Sequence, residues 1–236
     1  MRTWILLPII FGVTVVYALV VIVHMVLFRD KEVYYRYARS WSRMLLRIAG
    51  VKVNNRGEEH LVASMRYVYV ANHNSLFDIP IVLASVPDNI RIMYKRELNR
   101  IPVFGWCLAL SPFIAVDRAD GRDAMARLEE TIVSMRSGTS VLVFPEGTRS
   151  ADGRLGEFKR GAFVLAARSG KPLVPLTILG SASIIPARKM RLNRGTVTLL
   201  IGEPLQMGGT TRVDEMNMLR AVHGIIHEGV VSYQSQ

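Results

Sequence analysis

The sequence predicts an α/β fold: a mainly parallel or mixed central sheet flanked by helices, with an N-terminal membrane-anchoring helical segment ahead of it. Three observations carry this. Residues 4–28 contain no Asp, Glu, Lys or Arg. Beyond residue 50, short β-branched apolar runs alternate with stretches of helical periodicity, the pattern of βαβ units. Polar clusters then follow four of those runs directly, as they do when strands deliver side chains to one crevice at their C-terminal ends.

As a helix, residues 4–28 would measure about 37 Å, against roughly 30 Å of bilayer hydrocarbon. A secretory signal peptide carries an apolar region of only about 7–15 residues, so a retained membrane segment is expected. Pro8 and Gly12 leave open whether it crosses the bilayer or enters one leaflet. Arg2 precedes it, whereas Arg29, Lys31, Arg36, Arg39, Arg43 and Arg47 follow it. Retention of positive charge on the cytoplasmic side places the rest of the chain there. The expected location is a membrane, the bacterial inner membrane, with the bulk of the chain on its cytoplasmic face.

Residues 31–49 read as a basic amphipathic helix. Tyr34, Tyr37, Trp41, Leu45 and Ile48 recur at spacings of three and four, and the arginines keep the same rhythm on another face. Aromatic rings beside a basic stripe suit the headgroup level of a membrane. Residues 1–49 thus form an anchor and interfacial helix, and residues 50–236 one α/β domain. In that domain, apolar runs at 68–70, 90–94, 113–116, 141–144, 173–179 and 197–201 predict strands. Residues 76–85, 122–136, 159–168 and 212–230 predict helices.

With 30 Lys and Arg against 19 Asp and Glu, the net charge of +11 calls for an anionic partner. Nucleic acid is excluded by the lack of zinc-ligand spacing and of an aromatic-rich RNA motif. Anionic membrane lipid and a phosphorylated substrate remain. The single cysteine, Cys107, rules out an internal disulfide and a Cys-based zinc site. It lies in an apolar stretch and reads as core filler.

The first polar cluster is Asn72-His73-Asn74-Ser75-Leu76-Phe77-Asp78. If a helix starts at Ser75, His73 lies in the loop before it and Asp78 in its first turn, where the carboxylate can reach back to the imidazole. Ser75 and Asp78 also have the spacing of a capping box, so a purely structural reading exists beside the catalytic one. The chemistry suggested is general-base catalysis, in which a carboxylate holds the tautomer of a neutral imidazole. The second cluster is Phe144-Pro145-Glu146-Gly147-Thr148-Arg149-Ser150. Gly147 lets the backbone approach a ligand, Thr148 and Ser150 add hydroxyls, and Arg149 presents a planar fork suited to phosphate. Lys95 is a further cation for phosphate, or else the partner of Glu97 in a surface ion pair. Asp117-Arg118 and Lys159-Arg160 add basic groups of the same open kind.

Four blocks stand in order: Asn72-His73-x-Ser75-x-x-Asp78, Lys95-x-Glu97-Leu98-x₃-Pro102-x₂-Gly105, Phe144 to Ser150, and Val174-Pro175. Together they resemble the four motifs of the glycerolipid acyltransferases, most closely those of the 1-acyl-sn-glycerol-3-phosphate acyltransferases. The resemblance implies that His73 deprotonates the 2-hydroxyl of lysophosphatidic acid, which attacks an acyl thioester. Asp78 would orient His73. Arg149, with Lys95 and Arg118, would hold the substrate phosphate, while Glu146 and Gly147 would position the glycerol and shape the pocket; Thr148 is counted with the substrate-binding residues. The donor would be acyl-CoA or acyl-acyl carrier protein, with no metal and no other cofactor. Other acceptors, such as a lyso-ornithine lipid, share the His-Asp motif. A non-catalytic anionic-lipid-binding membrane protein and a lipid hydrolase are the readings from other classes; against the hydrolase, no Gly-x-Ser-x-Gly elbow is present.

Overall fold

The computed structural model describes residues 1–117, 121–136, 138–150, 153–186 and 191–234. Helix α1 (Arg2–Phe28) is apolar on every side and is long enough to cross a membrane. It does not stand alone. Ala18, Val21 and Met25 are buried against Tyr34 and Cys107, while Trp4, Phe11, Leu27 and Phe28 are exposed. Arg2 donates to the carbonyls of Ala49 and Leu192, tying the first turn to the domain. The chain reverses at Arg29, which adopts a left-handed conformation, and Asp30 caps the next helix by accepting from the Glu32 and Val33 N–H groups. Helix α2 (Lys31–Ala49) is strongly amphipathic, burying Tyr34, Tyr35, Leu45 and Leu46, and ends at Gly50 with φ +66°. Trp41 donates to Thr14 Oγ1 at 3.1 Å, stitching α2 back onto α1.

The sheet has seven strands: β1 (Val51–Arg56), β2 (Val68–Ala71), β3 (Ile90–Lys95), β4 (Ile114–Val116), β5 (Ser140–Val143), β6 (Leu173–Leu179) and β7 (Gly195–Ile201). Their order is β1-β7-β6-β2-β5-β3-β4. Every pairing is parallel except β6 with β7, so β1 and β7 run opposite to the other five and the sheet is mixed. The helices between them are α3 (Asp78–Ser85), α4 (Phe104–Ala109), α5 (Gly121–Arg136), α6 (Gly161–Ser169), α7 (Ser181–Ile184) and α8 (Arg212–Gln234). Both faces are covered. Leu46 of α2 and Ile81 of α3 pack on Tyr69, Leu142 and Leu176, while Ile132 of α5, Phe163 of α6 and Val222 and Ile226 of α8 pack on Val68, Val70 and Val141. This two-sided burial explains why β2 is apolar at every position instead of alternating.

The α/β expectation is met, and the differences are local. Strand β1 is a largely exposed edge strand reading Val-Lys-Val-Asn-Asn-Arg, too polar to be picked out as a run. Helix α4 has six residues and α7 four, too short to show a period. Helix α3 begins at Asp78 instead of residue 76 because the intervening backbone is claimed by the Asp78 side chain. Gly105, in the first turn of α4, passes so close to the Leu98 and Asn99 carbonyls that a Cβ there would lie 2.5 Å from each oxygen.

Candidate active site

Strands β2 to β6 run in one direction, so the loops after them share one edge of the sheet. Strand β2 delivers Asn72 and His73 there. Asn72 is buried; its amide donates to the Ile178 carbonyl at 2.9 Å and its oxygen accepts from the Ile178 N–H at 2.7 Å, locking the end of β2 to β6. The chain then turns, and Asp78 reaches back. Asp78 Oδ2 lies 2.8 Å from His73 Nδ1 and accepts the N–H groups of Asn74 and Ser75, both at 2.7 Å. Asp78 is fully buried, at 0% exposure, whereas the His73 side chain keeps 17%. A carboxylate with this acceptor role fixes the proton on Nδ1 and leaves Nε2 as the basic nitrogen. The capping box forms only by half: the Asp78 side chain takes the Ser75 N–H, but the Ser75 hydroxyl accepts from Phe77 at 3.3 Å.

The loop after β5 forms the other wall. The Phe144 ring stacks on the His73 imidazole, with centroids 4.1 Å apart and planes 22° apart. Glu146 accepts the His73 N–H at 2.7 Å through Oε1 and the Gly156 N–H at 3.0 Å through Oε2. The Ser150 N–H donates to the His73 carbonyl at 2.8 Å. His73 is thus held by its ring, its N–H and its carbonyl at once. Burial pushes the Glu146 carboxyl above its ordinary value, and its two backbone hydrogen bonds oppose that rise. Gly147 adopts φ +75°, and a Cβ there would meet Lys159 Nζ at 3.0 Å. The ammonium of Lys159 therefore lies over the loop, in a polar cavity of about 470 Å³ lined by Glu146, Thr148, Ser150, Arg154, Gly156 and Lys159.

The residues expected from sequence fare differently. His73, Asp78, Glu146, Gly147 and Thr148 come together. Arg149 sits on the same loop, is exposed, and has no partner among the described residues. Lys95 is exposed and paired with Glu97 at 3.0 Å. Arg118 lies outside the described residues. Both oxygens of Glu146 accept backbone N–H groups, from His73 and Gly156. Lys159 was read only as one of several basic groups, and the contact of its ammonium with Gly147 depends on a strap twelve residues downstream. Phe144 and Gly156 were missed as partners of His73 and Glu146, since no local pattern signals contacts across 71 and 10 positions.

An apolar chamber of about 320 Å³ lies next to this site. Val21 of α1, Tyr34 and Trp41 of α2, Ile79 and Leu83 of α3 and Cys107 of α4 contribute to its walls. Leu76, three residues after His73, lines it as well. Burial raises the Cys107 thiol above its ordinary value, in keeping with a packing role.

A His-Asp pair at the end of a central strand, walled by a Phe-Pro-Glu-Gly-Thr-Arg loop, sits on a mixed sheet with helices on both faces. The family model described as Acyltransferase matches residues 52–179, and the chain belongs to that family. Among curated proteins it is similar to the chloroplastic 1-acyl-sn-glycerol-3-phosphate acyltransferase of Brassica napus, 39% identical over 156 residues, or 65% of this chain and 45% of that one. The 1-acyl-sn-glycerol-3-phosphate acyltransferase of Pseudomonas aeruginosa is 30% identical over 181 residues, covering 74% of this chain and 69% of the relative. The chain spans about half the length of several curated relatives it matches. Among solved structures, the 1-acyl-sn-glycerophosphate acyltransferase PlsC of Thermotoga maritima superposes with a TM-score of 0.81 at 26% identity, covering 100% of this chain and 98% of that one.

Proposed function

We propose that this chain transfers an acyl group from a thioester to the 2-hydroxyl of 1-acyl-glycerol-3-phosphate, giving phosphatidic acid. The observation that carries the reading is the 2.8 Å contact of His73 Nδ1 with a fully buried Asp78, which leaves Nε2 free to act as a base. Nε2 takes the hydroxyl proton as the oxygen attacks the thioester carbonyl. The tetrahedral adduct collapses, the C–S bond breaks, and the imidazolium returns the proton to the departing thiolate. Asp78 stabilises the imidazolium while it lasts. The donor is acyl-CoA or acyl-acyl carrier protein.

Arg149 supports a phosphorylated acceptor: it is exposed and unpaired on a loop fixed to His73 through Ser150. Lys159 adds a second cation over that loop. Lys95 joins them only by leaving Glu97, and Arg118 stays a candidate from sequence. The apolar chamber beside Leu76 suits an acyl chain, and Glu146 acts as a positioning residue. The exposed apolar face of α1, flanked by Arg29, Lys31 and the basic face of α2, supports attachment to an anionic membrane, with the catalytic domain on the cytoplasmic side of a bacterial inner membrane.

The test is transfer of a radiolabelled acyl group to lysophosphatidic acid by the purified chain in detergent. His73→Ala should lower the rate by about 10²–10⁴-fold with lipid binding kept. Unchanged transfer would overturn the proposal, and thioester release that needs no acceptor would point to hydrolysis.

A further inference from the structure

A second cationic cleft lies away from the catalytic edge. It opens between the first turn of α2, the start of β3, β4 and α5, with a volume of about 330 Å³, at the small end of the range of about 300–1,000 Å³ that ligand sites occupy. Lys31, Arg91 and Arg127 line it, with Glu130. Arg127 is already neutralised, by Glu130 at 2.6 Å and Asp123 at 3.4 Å. The wall hydroxyls are spent too: Thr131 donates to the Arg127 carbonyl, and Ser111 to that of Leu108. Among the described residues, that leaves Arg91 and Lys31.

Arg91 is the informative one. Its Nε is buried and has no hydrogen-bond partner, and its guanidinium lies against the Tyr35 hydroxyl. No carboxylate of the described residues comes within 4 Å of it or of Lys31. A partly buried guanidinium without a counter-ion is costly for a fold to keep. Arginine and lysine facing one polar cavity are what recognition of a tetrahedral oxyanion uses. Lys31 also follows the α1–α2 elbow directly, where the exposed apolar surface of α1 ends at Phe28. A bilayer that takes up that apolar surface would bring its headgroups to the mouth of the cleft. Arg91 stands near the start of β3, at the opposite end of that strand from Lys95; the cleft shares no lining residue with the cavity beside Glu146 and meets the apolar chamber at Tyr94 and Phe113, not at Arg91 or Lys31.

We infer that the cleft between Lys31 and Arg91 is a second anion site, separate from catalysis, that takes a phosphate group. Its source is a phospholipid headgroup or free phosphate. The full chain in neutral detergent and phosphate-free buffer is melted with increasing inorganic phosphate, beside Arg91→Gln and Lys31→Gln. In the wild type, Tm should rise by about 5–10 °C at a hundredfold excess over Kd. Arg91→Gln should lose most of that rise, keep its Tm in phosphate-free buffer, and retain wild-type acyl transfer at saturating substrate. Lys31 is exposed on a first turn, so Lys31→Gln folds regardless of what Arg91 contributes to stability, and it should lose part of the rise. A full phosphate response in both variants would overturn the inference, as would Arg91→Gln melting lower without phosphate yet responding fully to it. Co-sedimentation with phosphatidylcholine vesicles, with and without phosphatidylglycerol, separates the sources. Weaker recruitment of Arg91→Gln to the anionic vesicles alone identifies a headgroup; equal recruitment with the phosphate response lost identifies free phosphate.

Discussion

Replacing Asp78 by Asn tests the catalytic pair with the least change of shape. Asp78 Oδ2 accepts three hydrogen bonds, from His73 Nδ1, Asn74 N and Ser75 N, while Oδ1 is buried with no partner. An asparagine oxygen in the Oδ2 position can keep all three donors, and its NH₂ then takes the vacant Oδ1 position. The tautomer of His73 is retained. What disappears is the negative charge that, in the proposed mechanism, the imidazolium faces during transfer. Two unit charges about 4 Å apart at an effective dielectric constant of ~20 attract by about 4 kcal/mol, and about 1.4 kcal/mol is a factor of ten in rate. The expected loss in kcat is therefore about 10³-fold. Folding should suffer less, by about 1–3 kcal/mol, because charge-assisted hydrogen bonds become neutral ones while the cost of burying an anion is relieved. The assay is steady-state acyl transfer to lysophosphatidic acid at a temperature where circular dichroism shows the variant folded. A folded Asp78→Asn enzyme within about threefold of wild-type kcat would refute the role given to the carboxylate.

Two further substitutions separate binding from scaffolding. Arg149→Ala should change stability by less than about 0.5 kcal/mol, since the side chain is exposed and has no partner among the described residues. It should raise KM for the phosphorylated acceptor far more than for the thioester; equal effects on both would assign Arg149 to the donor or to the fold. Glu146→Gln gives one backbone N–H an amide nitrogen in place of an oxygen and should cost about 1–3 kcal/mol. Because burial raises the folded-state pKa of Glu146, the folded chain holds that proton more tightly than the unfolded chain above pH 4.5. Unfolding then releases it, and this contribution to stability falls as pH rises. The gap in Tm between wild type and Glu146→Gln should narrow as pH rises above about 4.5. A widening gap would show that the two backbone hydrogen bonds outweigh burial.

Much of the site was legible because its residues are neighbours in the chain. His73 and Asp78 are five apart, and a strand ending before them with a helix starting after them brings the side chains together through local turns alone. Six strand positions could be read from apolar, β-branched runs, and the central β2, β5 and β6 most plainly, because strands buried on both faces have to be apolar throughout. The boundary of α3 was misplaced by two residues because competition between helix and Asp78 for the Asn74 and Ser75 N–H groups is decided by side-chain geometry, which no period reports.

The sequence by itself determined the α/β class, the long apolar helix, the His-Asp pair and the loop that follows β5, since each rests on residues a few positions apart. Tertiary structure alone decided what each polar group is free to do. Glu146 is committed to the backbone of His73 and Gly156, Lys95 to Glu97, while Arg149 and Arg91 are left without counter-ions among the described residues. Whether a charge is paired depends on which strands the sheet sets side by side, and β2 gains β5 and β6 as neighbours across about 70 and 105 positions of chain. Hydrogen bonds and ion pairs act over a few ångströms of space, whatever the distance along the chain.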